Sequence, residues 1–346
     1  MFNGKSILIT GGTGSFGKRF VQRILRDYKP ARIVIYSRDE LKQHEMAKAF
    51  PPEKYESLRF FLGDVRDYQR VYQALKGIDV IIHAAALKHV PAAEYNPSEF
   101  IKTNILGAQN IIEAAIERGV SKVVALSTDK ASNPINLYGA TKLCSDKLFV
   151  AGNSYSGARG TSFSVVRYGN VIGSRGSVIP FFLGLKKSGV LPITDERMTR
   201  FLITLDQGID LVWTAMKESE AGEIFVPKIP SMKMVDLASA IAPDCDLKIT
   251  GIRPGEKLHE SMICEDDAPY TYDHGSHYTI QPAIRNWATK DATYLKSAKL
   301  VESGFSYTSD KNDQWMTKEQ LLSTLKAYRF GGNELIYLDD PTAQNA

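Results

Sequence analysis

The sequence predicts an α/β protein whose core is a doubly wound, mainly parallel sheet followed by a smaller α/β lobe. Short β-branched runs alternate with amphipathic segments through the first half of the chain, and the first run leads directly into a glycine-rich turn. The composition, 43% hydrophobic and 24% charged residues, is that of a globular protein with ample material for a core. Because 346 residues exceed a usual domain of roughly 100–200, we expect one core with an appended lobe.

The predicted strands are the β-branched runs, and the predicted helices lie between them. The strands are 6–10, 32–37, 58–62, 80–83, 122–127 and 162–167. The helices are 16–28, 67–75, 98–118 and 138–150, with two more at 206–216 and 234–241. In a parallel sheet of this kind ligands bind beyond the carboxyl ends of the strands, so the residues directly after each strand are the site candidates.

Charge and cysteine content exclude several classes of protein. The net charge of +4 comes from 43 basic and 39 acidic residues without a polybasic block, so no nucleic-acid partner is expected. Cys144, Cys245 and Cys264 have no metal-ligand spacing and their odd number argues against a disulfide framework, so we expect no metal and a reducing compartment. No apolar run reaches the roughly 18–20 residues of a membrane span, and no signal peptide precedes the first strand, so a cytoplasmic, soluble protein is expected.

The first strand runs into Thr-Gly-Gly-Thr-Gly-Ser-Phe-Gly, which ends where a helix begins. Glycine lets the backbone turn tightly and approach a pyrophosphate, whose charge is then stabilised by the helix N-terminus. A turn without a ligand is the alternative, but the strand–helix position favours a Rossmann-type dinucleotide site. The residues assigned to it are Gly11, Thr13, Gly14, Ser15, Phe16 and Gly17.

The end of the second strand bears on the choice between NADP and NAD. Ser37 and Arg38 stand where an acidic residue would hold a ribose 2′-hydroxyl, and an arginine there suits a 2′-phosphate. Lys42, in the same segment, is assigned to the cofactor site as well. We therefore predict NADP, while Asp39 keeps NAD possible. A solvated arginine at the start of a polar helix is the alternative.

Two further strand ends complete the predicted cofactor site. After the third strand, Asp64 is placed to meet the adenine amino group and Val65 its face. After the fourth, Ala84 and Ala86 are small enough to let the cofactor approach closely. We expect His83 to be a satisfied structural histidine and not a catalyst.

The segment after the fifth strand carries the densest set of reactive side chains. Tyr138 and Lys142 are four residues apart at the start of a predicted helix, and therefore lie on one face. A lysine ammonium beside the phenol, with a positive nicotinamide nearby, favours phenolate, so Tyr138 is predicted to act as a base near neutral pH. Tyr307 and Lys311 have the same spacing without a preceding strand, which shows that spacing alone carries little. The first pair follows a strand whose end supplies the hydroxyl of Thr128.

Together these motifs resemble the extended short-chain dehydrogenase/reductases that act on nucleotide sugars. An epimerase of that superfamily needs only the hydroxyl, the tyrosine and the lysine, so Asp129 and Lys130, directly after the threonine, are surplus. With them the chain resembles the inverting UDP-N-acetylglucosamine 4,6-dehydratase family, of the pseudaminic acid and flagellin-glycosylation type. The resemblance covers about residues 3–330 and rests also on the segments 36–43, 83–91, 167–182, 198–201, 223–234 and 251–259.

The resemblance implies a role for each reactive side chain. Tyr138 would take the proton of the sugar 4-hydroxyl as hydride passes from carbon 4 to NADP, and Lys130 would then remove the proton of carbon 5. Asp129 would protonate the departing 6-hydroxyl before the hydride returns to carbon 6. A lysine base needs a depressed pKa, and we expect burial and neighbouring positive charges to lower that of Lys130. An exposed charged turn is the alternative for Asp129 and Lys130.

The resemblance also implies which other residues hold cofactor and substrate. The cofactor site would add Lys88, Thr103, Asn104, Val171 and Arg175, beside Tyr138 and Lys142. The substrate site would comprise Lys88, Asn170, Val178, Thr194, Arg200, Arg253 and Glu256. The residue chemistry agrees, because the guanidinium of Arg253 suits a diphosphate and the carboxylate of Glu256 suits ribose hydroxyls. A surface turn with a salt bridge is the alternative for that pair.

The predicted organisation is an NADP-binding domain over 1–168, a mainly substrate-binding lobe over 169–284, and a C-terminal extension over 285–346 whose last residues, from 339, fray. The predicted function is 4,6-dehydration of UDP-N-acetylglucosamine with inversion at carbon 5, using tightly bound NADP that is regenerated in each turnover. We expect a homo-oligomer, a hexamer or a dimer. The alternatives are a UDP-sugar epimerase of the same superfamily and a regulator that binds NADP without turnover.

Overall fold

A large, mainly parallel sheet forms the centre of the molecule. The computed structural model describes the chain except for residues 52, 158–159, 221, 285–292, 333 and 342–346. The predicted α/β class and all six predicted strands are confirmed, the fifth and sixth being one residue longer than predicted. In spatial order, from one edge of the parallel part to the other, they are β6 (Ser162–Tyr168), β5 (Lys122–Thr128), β4 (Val80–His83), β1 (Ser6–Thr10), β2 (Arg32–Ser37) and β3 (Leu58–Leu62).

The helices of the first half connect these strands. They are α1 (Ser15–Asp27), α2 (Glu40–Ala49), α3 (Tyr68–Ala74), α4 (Val90–Tyr95), α5 (Pro97–Phe100), α6 (Gly107–Arg118) and α7 (Leu137–Ser156). The single helix predicted over 98–118 is wrong in one respect, because residues Ile101–Leu106 form a π-helical turn between α5 and α6. Within this turn the Asn104 side chain bonds to Leu87 and Thr141, so the widened turn is stabilised by tertiary contacts.

The second half of the chain returns repeatedly to the same sheet. Strand β10 (Ile224–Pro227) runs parallel to β6 and is followed outward by antiparallel β15 (His277–Ile280), β14 (Thr271–Asp273) and β16 (Lys299–Leu300). The remaining elements of this half are β7 (Asn170–Val171), α8 (Val178–Leu185), β8 (Val190–Ile193), β9 (Thr199–Ile203), α9 (Leu205–Glu218), β10 (Ile224–Pro227), β11 (Ser231–Lys233), α10 (Met234–Ile241), β12 (Asp246–Ile249), β13 (Ser261–Ile263), β14 (Thr271–Asp273), β15 (His277–Ile280), β16 (Lys299–Leu300), β17 (Tyr307–Thr308), α11 (Lys318–Leu325), β18 (Tyr328–Phe330) and β19 (Leu335–Tyr337). The predicted helices at 206–216 and 234–241 are confirmed as α9 and α10.

Two hydrophobic clusters hold these elements together. The first surrounds the main sheet, where residues such as Ile7 and Ile9 of β1 are fully buried because helices cover both faces. The second joins α8, β8 and α10 with the C-terminal hairpin formed by β18 and β19, and includes Leu237 and Tyr337. The cleft described below lies against this second cluster, so the appended elements form part of its wall.

The C-terminal hairpin is tied to the first helix of the chain. The buried guanidinium of Arg19 bonds to Asp206 at 2.8 Å and to Asp339 at 2.7 Å, and stacks 3.9 Å from the ring centroid of Tyr337. Fraying was expected from residue 339 onward, but Asp339 forms an ion pair with Arg19. The last residues of that stretch, 342–346, lie outside the described residues. The hairpin also bonds to the loop after β7, because the Leu335 amide donates to the Gly173 carbonyl at 2.8 Å.

Candidate active site

The glycine turn after β1 lies in close contact with the loop after β4. Gly11 has φ +64°, and a Cβ there would lie 2.9 Å from the Ala85 Cα. A side chain at Gly17 would overlap the backbone of Gly12. Helix α1 begins at Ser15 without a side-chain cap, so its first N–H groups can bind an anion. The turn therefore has the shape and the donors that a dinucleotide pyrophosphate requires.

One contact at this helix start was not expected from the sequence. The Ser15 hydroxyl donates to the Glu334 carboxylate at 3.0 Å, and the Arg175 amide donates to the same hydroxyl at 3.3 Å. Arg175 in turn accepts from the Lys88 ammonium through its carbonyl oxygen at 3.2 Å. The predicted cofactor residues Ser15, Lys88 and Arg175 are thus brought together beside the C-terminal hairpin.

His83 fastens β4 to β1. Its Nδ1 lies 2.9 Å from the Thr10 hydroxyl, which also accepts from the Ala84 and Ala85 amides at 3.1 Å. With its acceptor positions used by these amides, the hydroxyl donates to the imidazole. Burial, with a smaller contribution from Lys142, lowers the pKa of His83 to about 3, so the ring is neutral. The structure agrees with the expectation of a satisfied structural histidine.

The end of β2 is polar and exposed. The Arg38 side chain is 53% exposed and 3.8 Å from the Asp64 carboxylate, so its guanidinium is available to a ligand phosphate. Asp39 instead caps helix α2, accepting the Lys42 amide at 3.0 Å and pairing with its ammonium at 2.7 Å. Ser37 accepts a hydrogen bond from Gln43. The Asp39 carboxylate thus already accepts two contacts from Lys42, while 38% of its side chain remains exposed.

The residues predicted to surround adenine and nicotinamide differ in how many of their polar groups are already hydrogen-bonded within the protein. Val65 is buried, while both Asp64 carboxylate oxygens already accept hydrogen bonds from Arg66. Asn104 uses its side-chain oxygen and amide on Leu87 and Thr141, so it positions the loop after β4 and has little capacity left for a ligand. The Thr103 hydroxyl is buried and finds no hydrogen-bond partner among the described residues. Thr103 is therefore the member of that pair that can bind a cofactor.

The reactive groups predicted after β5 come together at one place. Residues Asp129–Ala131 form a single 3₁₀ turn, in which the Thr128 hydroxyl donates to the Asp129 carboxylate at 2.9 Å. A side chain at Gly139 would overlap the Lys130 carbonyl oxygen, so glycine lets the start of α7 pack directly on this turn. Tyr138 is thereby placed next to the turn, with its phenol beside the Thr128 hydroxyl.

The protonation of Tyr138 and Lys142 differs from the sequence-based expectation. Burial raises the pKa of Tyr138 to about 12, although Lys130 and Thr128 act to lower it. Burial also lowers the pKa of Lys142, against the attraction of Asp146. In the protein without bound ligands the phenol is therefore protonated, since the loss of hydration exceeds the effect of neighbouring cations. The predicted phenolate depends on a positive nicotinamide nearby and stays a prediction.

Lys130 also departs from its expected chemistry. Its ammonium lies 3.1 Å from the Asp129 carboxylate and 3.0 Å from that of Glu260. Burial lowers the pKa of Lys130, but the attraction of these two carboxylates outweighs burial and the net pKa is raised. In the protein without bound ligands the pKa of Lys130 is thus raised and not depressed, first by Asp129 and then by Glu260, which is distant in sequence and was not considered. The alternative of an exposed charged turn is also wrong, since Asp129 is only 1% exposed.

A second buried acid supports the start of α7. The Asp146 carboxylate accepts from the Ser127 hydroxyl at 2.7 Å and from Arg167 at 3.4 Å. It lies one helical turn beyond Lys142 and attracts that ammonium. Asp146 thus links β5, β6 and α7 beneath the reactive turn. The sequence signal was present, as an acid four residues after the lysine on the same helix face, but it was not used.

The reactive turn opens into a cleft of ≈ 670 Å³, within the usual range of small-molecule sites. All residues predicted for the substrate line this cleft together with Lys130, namely Lys88, Asn170, Val178, Thr194, Arg200, Arg253 and Glu256. Glu260 and Lys257, which the sequence analysis missed, line it as well. The Lys257 ammonium donates to the Ser132 carbonyl at 2.7 Å, so this wall is fixed to the reactive turn.

Arg253 and Arg200, both predicted to bind the substrate, differ in how much of the guanidinium is available to a ligand. Arg253 is 67% exposed on its side chain and pairs with Glu256 at 3.1 Å, an ion pair that a diphosphate could replace. Arg200 is buried, and its guanidinium donates to the carbonyls of Thr199, Leu258 and Lys257. Arg200 therefore holds the wall of the cleft in place, with less capacity for the substrate than the sequence analysis assumed.

A glycine-rich turn at the edge of a parallel sheet, with a tyrosine and a lysine one helical turn apart after a later strand, is the arrangement of the short-chain dehydrogenase/reductases. The fold and the site place the chain in this Rossmann-type class. A family model described as polysaccharide biosynthesis protein matches residues 7–282. The chain is 56% identical over 332 residues to a UDP-N-acetylglucosamine 4,6-dehydratase (inverting) of Campylobacter jejuni serotype O:2, with 94% of this chain and 98% of that protein covered. It is 41% identical to a UDP-glucose 4-epimerase of Rickettsia prowazekii, with 93% and 97% covered.

Solved structures give the same result. Pen from Bacillus thuringiensis has a TM-score of 0.86 at 36% identity, covering 94% of this chain and 98% of that one. The dTDP-glucose 4,6-dehydratase DesIV from Streptomyces venezuelae, solved with NAD bound, has a TM-score of 0.65 at 25% identity, covering 73% and 86%. The chain belongs to the polysaccharide biosynthesis protein family and, within it, to the family of inverting UDP-N-acetylglucosamine 4,6-dehydratases.

Proposed function

We propose that the protein is an NADP-dependent hydro-lyase that converts UDP-N-acetylglucosamine to UDP-2-acetamido-2,6-dideoxy-β-L-arabino-hex-4-ulose, inverting carbon 5. The observation that carries the proposal is the contact of the Lys130 ammonium, which lines the cleft, with the Asp129 carboxylate at 3.1 Å, close to Tyr138. A redox enzyme that only exchanges hydrogen at carbon 4 has no use for this additional acid–base pair. An elimination needs both members, one for the carbon-bound proton and one for the leaving hydroxyl.

The cofactor is proposed to lie along the carboxyl edge of the sheet. The uncapped start of α1 would hold its pyrophosphate, and the unpartnered hydroxyl of Thr103 is available farther along. The exposed guanidinium of Arg38 supports a 2′-phosphate and hence NADP. When bound, NADP would supply one reversible redox step, accepting a hydride from sugar carbon 4 and giving it back at carbon 6.

The side chains of the cleft would move the protons. Tyr138 takes the proton of the 4-hydroxyl, and a positive charge nearby is needed to offset the burial that raises its pKa to about 12. The Lys130 ammonium first passes a proton to Asp129 across their 3.1 Å contact. The resulting amine then takes the carbon 5 proton, which the 4-ketone acidifies. Asp129 donates its proton to the 6-hydroxyl, which leaves as water, and the ammonium–carboxylate pair is restored. Arg253 and Glu256 at the mouth of the cleft suit the diphosphate and the ribose of the nucleotide.

One observation favours a second candidate, a UDP-sugar 4-epimerase. The relatives named UDP-glucose 4-epimerase are 41% identical over nearly the whole chain. Tyr138 and Lys142 would suffice for that reaction. The two functions differ in whether the sugar loses its 6-hydroxyl. A regulator that only binds NADP is a weaker alternative, because Tyr138, Lys142, Asp129 and Lys130 are all present, and Lys130 lines the cleft.

We also propose that the product enters a surface glycan of the pseudaminic acid type, as in flagellin glycosylation, and that the protein acts in the cytoplasm as a homo-oligomer, a hexamer or a dimer. The family membership supports the pathway, and the sequence supports the compartment through its cysteines. Within the described residues, no helix is long and apolar enough to cross a membrane.

The proposal is tested by incubating the purified protein with UDP-N-acetylglucosamine in deuterated water, without added cofactor, and recording proton NMR spectra. The expected result is a new methyl signal from carbon 6, deuterium at carbon 5 and couplings of the L-arabino configuration. These would establish dehydration, inversion and a cofactor that remains bound. A sugar that keeps its 6-hydroxymethylene group while its carbon 4 epimerises would support the epimerase instead. The Lys130→Met variant is the matched control and should produce no methyl signal.

A further inference from the structure

The helix that carries Tyr138 begins at a side chain that also binds another part of the cleft. Asn136 is the N-cap of α7, and its side-chain oxygen accepts a hydrogen bond from the Gly139 amide at 2.8 Å. Its side-chain nitrogen donates to the Gly255 carbonyl oxygen at 2.7 Å. Asn136 lines the cleft and stands two residues before Tyr138. One amide group therefore connects the start of α7 with a residue 119 positions away in sequence.

Gly255 lies in the loop of residues 253–257, which carries Arg253 and Glu256, the two residues proposed to hold the diphosphate and the ribose. The loop contains neither helix nor strand, so its position depends on contacts with other parts of the chain. Gly255 has φ +77°, and a Cβ there would lie 3.0 Å from the Asn136 Cβ. Glycine thus adopts this conformation without strain and lets the loop backbone approach the cap of α7.

Capping α7 does not by itself require asparagine. Serine, threonine and aspartate are equally good N-caps, because each supplies an oxygen that accepts from the helix. The Gly255 carbonyl oxygen requires a donor, which the side-chain amide of asparagine provides in addition to its acceptor. A serine side chain is one atom shorter and cannot reach Gly255 while it is bonded to the Gly139 amide. The donor group of Asn136 therefore serves the loop and not the helix.

A second contact holds the far end of the same loop. The Lys257 ammonium donates to the carbonyl oxygen of Ser132, which directly follows the Asp129–Ala131 turn. Together the two contacts hold the loop against both elements that carry reactive side chains, the turn and α7. Of the two, the contact of Asn136 is the one that reaches α7, so its loss should act on Tyr138.

We propose that Asn136 is a positioning residue that couples the 253–257 loop to the start of α7, so that a substrate held by its nucleotide finds Tyr138 in the reacting position. This inference rests on the proposed function. Binding energy from the parts of a substrate that do not react can be used to orient the groups that do. A displacement of about 1 Å at the reacting atoms costs about a hundredfold in rate. Asn136 exchanges no proton in this role and acts through Tyr138.

The first experiment separates the two hydrogen bonds of Asn136. Asn136→Ser keeps the cap and removes the donor to Gly255, whereas Asn136→Ala removes both. For Asn136→Ser we expect kcat of methyl-sugar formation to fall about tenfold or more, while KM and the Kd of UDP, measured by calorimetry, change by less than about twofold. Asn136→Ala should show the same kinetic change and, because the cap is lost, a lower midpoint of urea unfolding.

Two further variants provide the comparison. Thr317→Ala removes the side-chain cap of α11 and should lower the urea midpoint without changing kcat or KM. Arg253→Ala should weaken the binding of UDP, because it removes the guanidinium proposed for the diphosphate. A wild-type kcat in Asn136→Ser would overturn the proposal, because the cap alone would then place Tyr138. A loss of UDP affinity in Asn136→Ser as large as in Arg253→Ala would also overturn it, because Asn136 would then bind the nucleotide itself.

The second experiment needs no turnover. The first amides of a helix have no partner within it, so their hydrogen exchange reports on the start of α7. UDP is added to the free protein, and exchange is followed by mass spectrometry in peptides covering residues 137–142 and 253–257. In the wild type UDP should slow exchange in both peptides, whereas in Asn136→Ser it should slow exchange in the loop alone.

Equal slowing of the helix peptide in the two proteins would refute the proposal, as would the absence of slowing there in the wild type. A wild-type protein that forms no methyl sugar would refute the proposed function, while hydrogen exchange would still decide whether Asn136 couples the loop to α7.

Discussion

Replacing Gly11 by alanine tests whether the glycine turn is shaped by its contact with the loop after β4. Gly11 has φ +64°, which costs an alanine about 1 kcal/mol. The new Cβ would also lie 2.9 Å from both the Cα and the nitrogen of Ala85, whose amide is held by the Thr10 hydroxyl. Overpacking against backbone that cannot retreat costs about 1–3 kcal/mol more. We therefore expect a total loss of about 2–4 kcal/mol.

The matched control is Gly304→Ala, where φ is +78° and a Cβ would meet nothing within 4 Å among the described residues. Only the backbone term applies there, so the loss should be about 1 kcal/mol. Both variants are compared with the wild type by urea unfolding, followed by tryptophan fluorescence, and by titration with NADP. Gly11→Ala should also lose NADP affinity, whereas Gly304→Ala should keep it. Equal losses of stability in the two variants, or unchanged NADP binding in Gly11→Ala, would refute the reasoning.

Three further predictions concern other parts of the structure. Arg19→Met removes the guanidinium that lies 2.8 Å from the Asp206 carboxylate, whose side chain is 35% exposed. The free energy of unfolding, measured with urea, should fall by about 2 kcal/mol or more. An unchanged free energy would contradict the stabilising role given to this ion pair. His83→Asn keeps an acceptor for Thr10 but removes a group whose pKa is about 3 in the folded state and 6.5 ordinarily. The unfolded chain binds more protons than the folded protein between these two pH values, so the stability of the wild type should fall as the pH drops from 6.5 toward 3. In the same urea unfolding assay, the stability of the variant should depend less on pH. Parallel curves of stability against pH would count against a neutral His83. Arg38→Ala should weaken NADP binding about tenfold or more in titration while leaving NAD binding nearly unchanged, and an equal loss for both would argue against a 2′-phosphate contact.

The parallel strands could be predicted because their burial produces a signal in consecutive residues of the sequence. Residues such as Ile33, Val34 and Ile35 of β2 are fully buried, and a strand covered on both faces reads as a continuous β-branched run. The strands that extend the sheet from the second half give a weaker signal. Strand β10 has only four residues, and β15 carries His277 and Thr279 in the core, where polar side chains conceal the pattern.

The π-helical turn illustrates a second limit of the sequence. Residues Ile101–Leu106 continue the apolar periodicity of a helix, which is why a single helix was predicted there. The turn is widened where the Asn104 side chain bonds to Leu87 and Thr141, two contacts that depend on where β4 and α7 lie. Local propensity therefore gave the correct type of element but not its internal geometry.

The grouping of the predicted reactive side chains could be foreseen from the sequence, but their charge state could not. The position of Asp129, Lys130 and Tyr138 after β5 identified the reactive groups, because strand ends in such sheets face the ligand. The protonation of Lys130 depends on the adjacent Asp129 and also on Glu260, which approaches only through the fold of the second half of the chain. The pKa of a buried group is set by its spatial neighbours and by its loss of hydration, neither of which sequence spacing measures.

Buried carboxylate oxygens without hydrogen-bond partners connect the site with the stability of the protein. One carboxylate oxygen each of Asp129, Asp146 and Glu260 is buried and finds no hydrogen-bond partner in the part of the chain that the structure describes. Each such group destabilises the fold by about 1–3 kcal/mol, which an apolar residue of similar size would avoid. All three surround Lys130, Tyr138 or Lys142, where a reaction must place and remove protons. Donors that a ligand brings to these oxygens in the reacting complex would stabilise that complex more than the free protein, which is the condition for catalysis by differential binding. The same buried acids thus lower the stability of the free protein and provide the groups on which the proposed elimination depends.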